Sequence, residues 1–162
     1  VTDDDQLLLI SEQGMSLRFA ADDSSLRPMG RSTSGVIGMK FRKGDHLLSM
    51  VVISKEQRER FLSTATDGGF AKRTNLDEYR LQGRGGIGVK AAKIDESSRG
   101  LLVGALVVGS KDEILVITSS GSVMRTEVKE IRETGRDTMG VRLVDLDSET
   151  HVVSLTRVAD SD

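Results

Sequence analysis

Three short stretches of this chain share one pattern: GRSTSGV at residues 30–36, GRGGIGV at 83–89 and GRDTMGV at 135–141. Each reads Gly-Arg, three variable residues, then Gly-Val, and their starts lie 53 and 52 residues apart. A second pair precedes each copy, a glycine four residues before an arginine: Gly14/Arg18, Gly69/Arg73 and Gly121/Arg125. A further arginine stands four residues before each Gly-Arg arginine, at Arg27, Arg80 and Arg132. Downstream, the first and third copies align without a gap at an offset of 105, which places Met39 on Val144, Phe41 on Leu146 and HLLSM on HVVSL. A period of this length marks an array whose units bury their faces against neighbours. The chain reads as three copies of one unit, roughly 6–54, 60–109 and 113–158.

Each unit reads as strands. LLLI (7–10), FLSTAT (61–66) and ILVIT (114–118) are short β-type runs that end in the turn chemistry SEQG, DGG and SSG. A second strand follows as MSLRF, FAKRT or SVMRT, alternating apolar and polar residues as half-buried hairpin strands do. A third begins at Gly-Val, and a fourth is the apolar run LLSMVVI, LVGALVV or VVSLTRV. KEQRER (55–60) and KEIRE (129–133) are long enough only for a helical turn. The expected class is all-β and propeller-like, with three blades of four strands each.

The middle copy also satisfies G-x-G-x-x-G through Gly83, Gly85 and Gly88, the spacing that cradles a dinucleotide pyrophosphate. That chemistry needs a strand before the glycines and a helix after them. Here IGVKAAKI carries no helical cap or stripe, and the equivalent loops lack the middle glycine. The outer glycines are instead expected to supply left-handed backbone, or close backbone approach, at a turn used three times.

Composition narrows the partners. The absence of cysteine excludes disulfide and thiolate chemistry. The longest apolar run, LLVGALVVG, is far short of a membrane span, and Val1 opens a stretch unlike a signal peptide. A cytoplasmic protein without a membrane partner is expected. The formal charge is −2, yet Asp3, Asp4, Asp5, Asp160 and Asp162 crowd the two ends. Without these five, 23 basic residues face 20 acidic ones, so an anion-binding surface must come from where the charges sit.

With these residues in hand, the chain resembles the C-terminal domain of the DNA gyrase A protein over nearly its whole length. QGRGGIG (82–88) is similar to the gyrase box Q-R-R-G-G-K-G, with Gly83 in place of the second-position arginine and Ile87 in place of the lysine. Gln82, Gly83, Arg84, Gly85, Gly86, Ile87 and Gly88 thus form a degenerate box with two charges missing. The resemblance implies a β-pinwheel, usually of six blades, whose rim bends duplex DNA in a positive sense so that the holoenzyme can introduce negative supercoils with ATP. The three repeats here look like the later half of that domain. The corresponding topoisomerase IV protein is the nearest competitor in the family, and a propeller fragment for protein–protein contacts is the rival outside it. The implied partners are double-stranded DNA, the remaining blades and breakage-reunion domain of gyrase A, and gyrase B in the holoenzyme. No cofactor is expected in this stretch; ATP and magnesium would belong to other parts of the holoenzyme.

Wrapping needs cations along a curved track and turn amides near the phosphates, not a catalytic residue. Arg31, Arg84 and Arg136 come first, in glycine-flanked loops. Arg18, Lys72, Arg73 and Arg125 follow on the second strand of each unit, then Lys90 and Arg142, with Gln82 as a neutral donor. An arginine repeated once per unit equally suits a second role, bridging to a carbonyl or carboxylate between blades. Both roles stay open at this point, while Arg27, Arg80 and Arg132 lean structural or solvated. His46 and His151 share a repeat position without metal-ligand neighbours, Tyr79 reads as packing, and Met39, Met50 and Met139 as core filler.

Overall fold

The computed structural model describes residues 1–95 and 97–158. The first unit contributes β1 (Gln6–Ser11), β2 (Met15–Ala20) and β3 (Leu47–Ile53). The second contributes β4 (Phe61–Thr66), β5 (Phe70–Asn75), β6 (Val89–Lys90) and β7 (Leu102–Val108). The third contributes β8 (Glu113–Thr118), β9 (Val123–Glu127), β10 (Val141–Arg142) and β11 (Val152–Val158). Pairing is antiparallel throughout these strands, and each unit's first strand lies between its second and its last.

The expectation that each unit builds its own four-stranded blade is corrected by the sheet order. The sheets run β3-β1-β2-β6, β10-β5-β4-β7 and β11-β8-β9, so the short Gly-Val strand joins the preceding unit. Val89 pairs with Ser16 and Lys90 with Met15; Val141 pairs with Ala71 and Arg142 with Phe70. The exchange follows from the route of the chain. After β5 a 3-10 turn at Leu76–Glu78 sends it beside β2, where the Gln82 amide donates to the Arg18 carbonyl at 2.8 Å. It therefore meets the preceding sheet's open edge before its own. The third sheet carries no exchanged strand among the described residues, and Gly35-Val36 forms no strand.

Burial explains why the first strands read as near-continuous apolar runs. β1 is covered on both faces: Leu8 and Ile10 pack against the second unit with Leu62, Tyr79 and Leu102. Leu7 and Leu9 pack on the opposite side with Phe19 and Met39. The second joint is filled by Val108, Ile114, Val116, Ile131 and Leu155. A fully covered leucine such as Leu8 contributes about 2 kcal/mol from apolar burial. β7 touches both β3 and β11, so the last strand of each unit forms an inner layer, and β6 and β10 lie at the far edge. Tyr79 and Met39 are buried as expected, whereas Met50 is exposed.

Candidate nucleic-acid interface

The repeated glycines build the joints between units. Gly14 closes the β1–β2 turn at φ 81°, and its carbonyl accepts from the Ala91 and Ala92 amides at 2.7 and 3.2 Å. Gly69 repeats this at φ 86°, accepting from Leu143 and Val144 at 2.8 and 3.3 Å. A Cβ would stand 2.6 Å from the Ala92 carbonyl oxygen at Gly14 and 2.8 Å from that of Val144 at Gly69. In the Gly-Arg loops the closing glycines Gly88 and Gly140 have φ 83° and 81°, and each passes against the backbone of the preceding unit. Gly83, at the start of the loop, shows neither constraint. A strand, not a helix, follows Gly88, so the G-x-G-x-x-G match is a consequence of joint geometry.

Two sets of arginines cross each joint in opposite directions. Arg18 is buried, and its NH1 donates to the carbonyls of Leu76 and Tyr79 at 2.6 and 3.1 Å while Nε donates to Gln6 Oε1 at 2.8 Å. Arg73 lies 4.7 Å from the Phe61 ring centroid, and its Nε donates to the Ile131 carbonyl at 2.7 Å. Ile131 is the repeat equivalent of Tyr79, so the contact recurs. In the third unit Arg125 pairs with Glu113 on its own hairpin.

In the other direction, Arg84 NH1 donates to the Ile37 carbonyl at 3.1 Å and Nε to the Ser25 carbonyl at 2.7 Å. Arg136 NH1 donates to the Lys90 carbonyl at 2.8 Å, and Lys90 is the repeat equivalent of Ile37. Arg31 is exposed and makes no side-chain hydrogen bond among the described residues.

Lys72 is the odd member. Its equivalents are Leu17 and Met124, both apolar, yet Lys72 is buried with Nζ donating to the Gly135 carbonyl at 3.0 Å and to that of Arg136. Burial pushes its pKa down to about 8, with Glu78 and Asp137 opposing the shift and Arg136 adding to it. Lys72 therefore shapes the third Gly-Arg loop from beneath.

Several expected DNA contacts change role on this geometry. Arg18 and Lys72 are both buried and donate to backbone carbonyls across a joint, the bridging role left open above for Arg18. Arg73 is half-buried in the same kind of clasp, and Arg125 is held by Glu113. Arg84 and Arg136 are half-buried clasps whose loops still reach the surface. Arg31, Lys90 and Arg142 are exposed, although Lys90 pairs with Asp137 at 3.3 Å and Arg142 with Asp145 at 3.0 Å. Gln82 sits beside Arg80; with its amide oxygen turned that way it accepts from Nε and NH2, both at 2.9 Å. In the rest of the box, Ile87 is exposed and the Gly86 carbonyl accepts from the Lys40 amide at 2.8 Å.

Other cations escape a search for what the units share, because they lie where the units differ. Four residues beyond the valine of each Gly-Val pair, the units read KFRK (40–43), KIDE (93–96) and DLDS (145–148). Lys40, Arg42, Lys43 and Lys93 are all exposed. The signal that finds them is the change of charge between aligned units, not a repeated residue.

Antiparallel sheets packed against one another, with short strands exchanged between units, define a propeller-class repeat protein. The chain belongs to the DNA gyrase C-terminal domain, beta-propeller family, which matches residues 5–54, 61–109 and 112–159. It is 60% identical over 161 residues to the DNA gyrase A protein of Streptomyces coelicolor, covering 99% of this chain and 18% of that protein. A solved DNA gyrase A C-terminal domain superposes with a TM-score of 0.87 at 28% identity, covering 98% of this chain and 52% of that one. The C-terminal domain of DNA topoisomerase IV gives 0.86 at 25% identity, covering 96% of this chain and 47% of that one. The chain thus spans less than a fifth of its curated relative and about half of each solved domain. The two superpositions are nearly equal, so the gyrase assignment rests on the 60% identity.

Proposed function

We propose that this chain is a non-catalytic module of the DNA gyrase A protein that binds duplex DNA along its outer edge and bends it. The observation that carries the reading is identity of 60% to a DNA gyrase A protein across 99% of the chain. The exposed Lys90 lies on the exchanged strand β6, Arg31 is exposed in the first Gly-Arg loop, and Arg84 and Arg136 hold the other two loops, while Arg142 on β10 is paired with Asp145. In the holoenzyme the module would work beside the remaining blades, the breakage-reunion domain and gyrase B to support ATP-dependent negative supercoiling. ATP and magnesium would act in those other parts, and the module needs no cofactor of its own. Cytoplasmic DNA is the fitting substrate, and no helix among the described residues is long and apolar enough to cross a membrane.

The experiment is a titration of duplex DNA at low and moderate salt. Phosphate neutralisation predicts a steep fall in affinity with salt and little dependence on sequence. An affinity unchanged by salt, or no binding at low salt, overturns the reading.

A further inference from the structure

A groove lies at the first joint, and the equivalent positions of the second joint carry the opposite charge. Between the first and second units the groove is lined by Gln13, Arg42, Lys90 and Lys93. Arg42 and Lys93 are exposed and form no ion pair among the described residues, while Lys90 shares its charge with Asp137. At the equivalent positions of the second joint stand Asp95, Arg142 and Asp145. There Arg142 is neutralised by Asp145, and Arg99 is held over the Phe70 ring at 4.3 Å with NH1 on the Gly140 carbonyl. Along the loop itself, Lys40, Arg42 and Lys43 of the first unit give way to Asp145 and Asp147 in the third. A polyanion laid along this edge meets attraction at the first joint and repulsion beyond the second.

We propose that the groove between the first and second units is the phosphate-docking site for duplex DNA, and that the third unit lies off the strongly bound part of the track. The proposal rests on the DNA-binding reading above and names the residues that perform it. Arg42 comes from one unit and Lys93 from the next, so they reach one groove from two blades and would contact the backbone together. Both are exposed and form no ion pair among the described residues, so they can release counterions from DNA.

The test uses the whole chain and a duplex of a few helical turns. Each lost phosphate contact lowers the slope of log affinity against log salt by about 0.9, so the Arg42→Ala/Lys93→Ala double variant is expected to lose about two units. Its melting temperature should stay at the unaltered value, because both side chains are exposed. Arg142→Ala should leave the slope unchanged, and Asp145→Lys should steepen it by about one unit. If the unaltered chain binds DNA while the double variant keeps the full slope, the groove assignment is overturned and the DNA-binding reading stands. A loss on Arg142→Ala as large as that of the double variant also overturns the assignment. Failure of the unaltered chain to bind at low salt overturns both.

Discussion

The guanidinium of Arg84 donates to the Ile37 carbonyl at 3.1 Å, and Arg136 repeats the contact on Lys90 at 2.8 Å. The repeated Gly-Arg arginine is thus a backward clasp onto the preceding unit, answered by the forward clasp of Arg18 on Tyr79 and Arg73 on Ile131. Array stability in such proteins is the sum of unit and joint terms, so residues at joints should dominate it.

Arg84→Ala and Arg136→Ala should each cost about 1–2 kcal/mol, the range for a charge-assisted bond at a half-buried site. Arg31→Ala, at the same repeat position without a partner among the described residues, should leave thermal unfolding unchanged. Equal losses at all three positions would remove the clasp from the account.

Arg18→Ala should cost more, at least about 3 kcal/mol, because it strands the Leu76 and Tyr79 carbonyls in a buried joint. Arg18→Lys should recover little, since one ammonium cannot span Gln6 and two carbonyls as the planar fork does. Urea unfolding of the two variants measures both quantities.

Gly69→Ala and Gly121→Ala form a matched pair, with φ of 86° and 83°. Both carry the left-handed backbone penalty of about 1–2 kcal/mol. Only Gly69 also has the Val144 carbonyl at 2.8 Å from a new Cβ, whereas Gly121 faces open space. The Gly69 variant should therefore melt lower, and the difference reports the joint alone.

Lys72 gives a pH dependence with a definite sign. Its pKa falls from an ordinary 10.5 to about 8 on folding, so between these values the unfolded chain holds the extra proton. Stability then rises with pH across that window, and the gain is gone once pH falls through about 8. Lys72→Met, which installs the side chain found at Met124, should flatten this rise relative to the unaltered chain. Parallel melting curves at about pH 8 and pH 10, the two sides of that window, read it out; identical slopes would contradict the burial of a charged Lys72.

Much of the fold was legible in the repeats. LLSMVVI, LVGALVV and VVSLTRV coincide with β3, β7 and β11. The strand exchange was not legible, because Val89–Lys90 and Val141–Arg142 are too short to show which edge they join. Nor does a period of 52–53 residues separate a DNA-contacting arginine from a joint arginine, since both roles recur once per unit. The contacts separate them: Arg18, Arg73, Arg84 and Arg136 each reach a carbonyl across a joint. The burial of Lys72 was not legible either, because a lysine on an alternating strand normally faces water and only the loop carbonyls above it reveal the exception.

Bending of duplex DNA along the edge of this chain can be read out by closing a nicked plasmid with ligase in its presence. After removal of protein, the topoisomers should shift toward positive linking difference, and further as more chain is added at low salt. An unshifted distribution on plasmid that a mobility assay shows to be saturated would contradict the account.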